Sequence, residues 1–246
     1  AAIDQVPAVS TLLPSLGRAL EPGIDYRLYL GFDEGDLFFD SDRHQHAILE
    51  WFRREVAVAA AEEGKHVSLV VLPFQNQLRK PGPMFNFLSG SAVYDGADFL
   101  FRVNDDTEIL TPFASALMGA LARFTPAWVG VVGPTCRQGN VRILTHDFVH
   151  KTHLAIFGLH YPAVLSDWWM DDWITRVYPS SNVRRLSDVH VHHHTERTQL
   201  SNAPVRYTID FSHKPYLALE LRAGARRIGD FLESFCRPGN RTRAAA

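Results

Sequence analysis

The chain has 246 residues, of which 46% are hydrophobic and 21% charged, with a formal net charge of −2. That length supports one large α/β domain with a substantial core, and that composition excludes a disordered chain. The charge supplies no general attraction to nucleic acid or an anionic membrane, and no apolar run approaches the roughly 18–20 residues needed to span a bilayer.

Residues 24–36, IDYRLYLGFDEGD, alternate and then run apolar before a Gly and acidic stop, which predicts a strand. Residues 43–65 space Ile48, Phe52, Val56 and Ala59 at helical intervals and end at Gly64. HVSLVVLPF, 66–74, is a β-branched run with no polar face, the pattern of a strand buried on both sides. A loop punctuated by proline and glycine, 75–83, precedes a helix over 84–96, a strand over 97–103, a helix over 112–124 and a strand over 128–134. This alternation predicts a single Rossmann-like α/β domain, a mostly parallel central sheet flanked by helices. Its expected limits are 24–215, with a nucleotide-binding half to residue 134 and an acceptor half from 135. Residues 1–23 are expected as an extension, and 216–246 as a C-terminal helix and tail.

In open α/β sheets ligands collect beyond the carboxyl ends of strands. Three polar clusters fall there: 33–36, 104–106 and 133–140. The most pointed is Asn104-Asp105-Asp106, directly after the apolar strand ADFLFRV. Adjacent carboxylates disfavour each other's ionisation, so the pair marks either an ordinary strand-ending turn or an oxygen site for Mg²⁺ or Mn²⁺. Further on, LSDWWMDDWITRVY sets Asp167, Asp171 and Asp172 among Trp168, Trp169 and Trp173. The indoles are expected to be largely buried. A carboxylate in a dry aromatic setting gains proton affinity, which suits a general base; an amphipathic helix with acids near its N-terminus is the plainer alternative. In SDVHVHHHTERT, 187–198, alternation puts Val189, Val191 and His193 on one strand face and His190, His192 and His194 on the other. No accompanying cysteine or second histidine pair gives zinc-finger spacing.

The stretch FNFLSGSAVYDGADFLFRVNDDTEI, a helix, a turn, a buried strand and the acidic triplet, resembles the nucleotide-sugar glycosyltransferases of the GT-A fold. Those enzymes carry an Asp-x-Asp-type triplet at this point. The resemblance implies a metal held by Asp106 and by a late histidine, His193 or His194, with Asn104 and Asp105 contacting ribose or metal-bound water. Asn104 stands where the family pattern has an acid. The resemblance further implies a nucleotide-sugar site at Gly31, Phe32, Asp33 and Asn86, with Arg79 and Lys80 near the diphosphate. Asp171 and Asp172 resemble the acidic pair of inverting members, one of which deprotonates the acceptor, although the glycines that precede that pair are missing. Arg137, Gln138, Trp168 and Trp169 are implied around the acceptor or sugar, with His146 and Asp147 just beyond.

The implied activity is transfer of a hexose from a nucleoside diphosphate sugar, a uridine one being favoured, to an acceptor hydroxyl of a glycan, a protein or a modified nucleobase. The implied cofactor is Mn²⁺ or Mg²⁺. A fainter similarity, to predicted transferases grouped with base-J-type DNA glucosyltransferases, makes the arginines at 222, 226, 227, 237, 241 and 243 an expected basic surface. A metal-dependent phosphohydrolase and a non-catalytic binding module are the rival readings. Without an initiator Met or a signal peptide the chain reads as a processed piece, and the Asn240-Arg241-Thr242 glycosylation triplet leans towards the secretory lumen, the Golgi. Cys136 and Cys236 are too few for a disulfide framework.

Overall fold

The computed structural model describes residues 3–138, 140–194 and 210–236. Gly139, the Asn240 triplet, and Arg237, Arg241 and Arg243 lie outside the described residues. The chain is a mixed α/β protein. Strands β1 (Asp25–Asp33) and β2 (His66–Phe74) form a parallel pair in register from Asp25–His66 to Asp33–Phe74. The other five strands are β3 (Phe99–Arg102), β4 (Thr107–Ile109), β5 (Val131–Cys136), β6 (Asp147–His150) and β7 (Val183–His193), in the order β3-β6-β5-β7-β4.

Within those five strands only β5 and β7 run parallel, while β3–β6, β5–β6 and β4–β7 are antiparallel. One mostly parallel sheet is therefore replaced by a parallel pair and a mixed sheet. The cause lies in the connections: 137–146 carries no helix, and parallel neighbours need a long, usually helical, crossover. Because β2 pairs with β1 alone, it is half-buried at an edge, not enclosed on both faces as its composition predicts.

Helices α1 (Leu13–Ala19) and α5 (Ala114–Ala122) pack on one face of the five strands, where Leu16, Leu117, Ala120 and Leu121 join Val132, Phe148 and Val189 in one core. On the other face α4 (Pro81–Tyr94), α6 (Thr152–Phe157), α7 (Met170–Arg176) and α8 (Lys214–Cys236) enclose Val131, Val149, Tyr161, Trp173 and Ile174. A third cluster joins the N-terminal segment to β1, β2, α2 (Asp42–Phe52) and the turn that leads into α3 (Val58–Glu62), whose Ala60 belongs to the first core. Val6, Val9, Leu12 and Leu13 are buried, so the segment ahead of β1 is part of the core. Between α2 and α3 a π-helical turn, Arg53–Ala57, widens the spiral, and burial runs Ile48, Phe52, Val56, Ala60. That extra width moves the last contact from the expected Ala59 to Ala60. Among the described residues no helix is long and apolar enough to cross a membrane.

Two glycines set the position of α4. A Cβ on Gly31 of β1 would meet Met84 Sδ at 2.3 Å, and one on Gly82 would meet the Ser166 backbone oxygen at 2.7 Å. Gly82 N also donates to that Ser166 oxygen at 2.8 Å, locking the start of α4 to the segment that leads into α7. Met84 has a flexible side chain that can yield, and backbone cannot. Gly82→Ala is expected to lower the midpoint of thermal unfolding by several degrees, about 1–3 kcal/mol, and Gly31→Ala by clearly less. Equal losses in the two variants would contradict this account of α4.

Candidate functional site

Strand β3 ends on a single charged residue after Phe99, Leu100 and Phe101. Arg102 is 7% exposed, and a buried guanidinium must find partners for its five donors. It finds them on every side. Nε donates to Asp147 Oδ2 at 3.1 Å and to the Tyr161 hydroxyl at 2.7 Å, and Nη1 donates to the Thr145 carbonyl at 2.6 Å. Nη2 pairs with Asp147 Oδ2 at 3.0 Å and Asp171 Oδ1 at 2.6 Å. The rings of Phe85 and Tyr161 lie 5.1 and 5.6 Å from the guanidinium carbon.

Asp147 is fully buried and satisfied at both oxygens: the Tyr161 hydroxyl donates to Oδ2 at 2.5 Å, and His160 Nε2 lies 2.7 Å from Oδ1. Burial opposes its ionisation, but the Arg102 guanidinium and His160 outweigh it and hold the carboxyl below the usual range. Arg102 is likewise penalised by burial and kept charged by Tyr161, Asp171 and Asp147.

Asp171, in the first turn of α7, keeps 26% of its side chain exposed. Burial raises its pKa to about 6 against the opposing pull of Arg102, and Asp147 adds to the rise. Asp172 is half-buried, its pKa raised by burial and lowered by Arg176.

The acidic triplet turns directly after β3, and β4 pairs Thr107 with His193. This register delivers the end of β7 to the triplet. His193 Nε2 lies 3.0 Å from the buried Oδ1 of Asp106 and 3.1 Å from Asn104 Nδ2. Asp105 sits half-buried in the same turn. Gln138 Oε1 accepts from His193 N at 3.4 Å, so the end of β5 joins the group. His146 packs edge-on to His193 at 5.4 Å and meets Thr107 Oγ1 at 2.8 Å. Its neighbour Thr145 supplies the carbonyl that accepts from Arg102, and so the two clusters are joined.

Segment 165–169 carries the rim to the other sheet. Lys80 Nζ pairs with Asp167 Oδ2 at 2.9 Å, and Asp210 N donates to the same oxygen at 3.0 Å. Asp33, at the end of β1, accepts from Asn76 Nδ2 at 3.0 Å, and Asn76 also donates to the Lys80 carbonyl. Two bonded groups result, one of Asp33, Asn76, Lys80 and Asp167 and one of Asp171, Arg102, His193 and Asp106, and the chain from 167 to 171 runs from the first to the second.

Several sequence expectations are relocated. His194 lies on the opposite strand face, 3.0 Å from Glu108 Oε2, so His193 is the histidine beside Asp106. Gly31 serves the packing of α4, and Phe32 is buried against Phe39. Asn86 is clasped to the Tyr161 backbone, donating to its carbonyl at 3.0 Å and accepting from its N–H at 2.8 Å. His146 and Asp147 are 1% and 0% exposed and cannot reach a sugar. Arg79 and Arg137 are exposed, Arg79 with a left-handed φ of 49°. Trp173 belongs to the core, whereas Trp168 is 46% exposed beside Phe211, correcting the expectation of three largely buried indoles. Trp169 Nε1 donates to the Phe211 carbonyl. Arg102 is the residue missed by sequence reasoning. Its signal was a lone cation closing an apolar strand just before two acids.

Among the described residues no three His, Cys, Asp or Glu side chains converge as a metal cage. No protein-family model, curated protein or solved structure matches the chain.

The buried histidines set an acid limit on the fold. Burial depresses the pKa of both His146 and His153 to about 3, from an ordinary 6.5. Their stabilising contribution is complete above pH 6.5 and is lost as pH falls, because only the unfolded chain takes up the protons. Asp171 acts oppositely between about 6 and 3.8, where the folded carboxyl binds a proton first. Two histidines outweigh one aspartate, so unfolding at pH 5 should cost about 3 kcal/mol less than at pH 8. Denaturant unfolding at the two pH values checks this, and a flat or inverted profile would contradict it.

Proposed function

We propose that the chain is a metal-dependent glycosyltransferase acting on a nucleoside diphosphate sugar, with a uridine donor favoured. One observation carries the reading. His193 Nε2 faces both Asp106 Oδ1 and Asn104 Nδ2 at 3.0–3.1 Å, yet a single imidazole nitrogen cannot donate to the carboxylate and accept from the amide together. Turning the Asn104 amide removes the conflict and sets two oxygens about 3 Å from one imidazole nitrogen, a donor set that suits a hard divalent cation. Neighbouring ligand atoms of an octahedral ion with bonds near 2.1 Å stand about 3 Å apart. Asp106, His193 and Asn104 would then hold Mn²⁺ or Mg²⁺, leaving further positions to water and phosphate oxygens. When bound, such an ion supplies Lewis-acid neutralisation of a departing diphosphate.

The chain's own residues supply the rest of the reading. Asp33, at the end of β1, and Gln138, beside His193, present acceptors at the rim where base, ribose and sugar hydroxyls would lie. Asp171 is the base. Its Oδ1 is pinned by Arg102, its other oxygen is left to face an acceptor hydroxyl, and its raised pKa suits proton removal near neutral pH. Attack from the face opposite the leaving group then inverts the anomeric centre. Asp172 supports the pair from the next position of α7.

Melting curves with a panel of nucleotide sugars, with and without Mn²⁺, test this. A uridine diphosphate sugar with Mn²⁺ should raise the midpoint by about 3 °C or more. Asp106→Ala should abolish that rise. Asp171→Asn should keep it while reducing transfer at least about 100-fold. Stabilisation by a phosphoester instead would favour a phosphohydrolase, and indifference to Asp106→Ala would favour a non-catalytic binding module.

A further inference from the structure

The first half of β7 carries a second concentration of chemistry, at the opposite end of the strand from His193. β5 pairs Pro134 with Leu186, then Thr135 with His190, so residues 187–189 bulge out of the ladder. Such bulges re-aim side chains and recur beside functional sites. Between this bulge and α5 lies a cavity of about 290 Å³ bordered by Ser115, Arg123, Arg184, Arg185, Ser187 and Asp188.

Three guanidinium groups around one small cavity repel one another, and none has a carboxylate within ion-pair distance among the described residues. Asp188 is the single acid on the lining. The arginines are positioned, however. Arg185 donates to the carbonyls of Val141 and Ile143. Arg184 lies over the Phe124 ring at 5.9 Å. Arg123 folds back along α5, with Nη1 3.4 Å from where a Cβ on Gly119 would stand.

We infer that this cavity binds a small oxyanion, a phosphate monoester group, gripped by Arg123 and Arg184 with the Ser115 and Ser187 hydroxyls completing the contacts. Planar guanidinium groups match the tetrahedral oxygens of phosphate, and charge-assisted hydrogen bonds of this kind are the strong class. The small size favours one phosphate group over a nucleic-acid backbone, which needs an extended basic track. The assignment is independent of the proposed glycosyl transfer, since none of these residues belongs to the rim around Asp106.

The test compares potassium phosphate and a hexose phosphate with potassium chloride at matched ionic strength, in EDTA, by melting curves and calorimetry. Phosphate and hexose phosphate should stabilise the protein saturably, with one site per chain. The affinity should fall about tenfold or more in Arg123→Ala/Arg184→Ala and stay unchanged in Asp106→Ala. Arg123→Lys/Arg184→Lys, which keeps the charge but loses the fork, should fall in between. The assignment is overturned if phosphate acts no differently from chloride, if the double alanine variant binds as the wild type does, if Asp106→Ala abolishes binding, or if a single-stranded oligonucleotide binds this face more tightly than either small phosphate.

Discussion

The arrangement of the rim depends on one buried cation. Arg102 closes an apolar strand and is held from three directions, by Asp147 at the start of β6, by the Thr145 carbonyl ahead of it, and by Asp171 on α7. Removing a guanidinium from water costs several kcal/mol, and only ideal geometry with full hydrogen bonding recovers it. That demand fixes position. Asp147 is itself held by His160 and the Tyr161 hydroxyl, His160 by Ser89 of α4, and the Tyr161 backbone by Asn86 of α4. A continuous polar network therefore runs from α4 through the sheet to α7, and every link in it restricts where Asp171 can stand.

The acidic triplet inherits its place from the same strand. β3 positions Arg102, and the turn that follows delivers Asn104 and Asp106 to the end of β7, where His193 arrives through pairing with Thr107. Lys80 and Asp167 then tie the parallel β1–β2 pair to the segment that leads into α7. An edge of linked residues thus runs from the end of β2 through residues 167–171 to the end of β3, although the two sheets share no strand pairing. The proposed chemistry uses this edge: donors and acceptors for a nucleotide sugar at one end, a cation site at the other, and a carboxylate with raised proton affinity between them.

Local pattern made much of this legible. The strand over 66–74 coincides with β2, and the alternation of Val189, Val191 and His193 correctly separates the face of His193 from that of His194. The acidic pair after Trp169 could be singled out because charges among indoles are physically costly. Topology was less legible, because strand direction depends on connections whose length and hidden turns periodicity does not report. Asn86 and Gly31 looked like ligand-facing positions, and their roles in clasping Tyr161 and admitting Met84 depend on contacts with residues distant in the chain. Arg102 was missed for the same reason. Its partners, Asp147 and Asp171, lie 45 and 69 positions away.

The most direct test of the central claim, that the buried Arg102–Asp147 pair fixes the site, is a double-mutant cycle in equilibrium unfolding with Arg102→Met, Asp147→Leu and the combined variant. Arg102→Met leaves Asp147 to His160 and Tyr161, and Asp147→Leu leaves Arg102 with Asp171 as its one carboxylate. Each single change should cost about 3–5 kcal/mol, while the double change removes both members of the pair and should be clearly less damaging than the sum. Strictly additive losses would contradict the claim, because they would mean that the two side chains do not depend on each other.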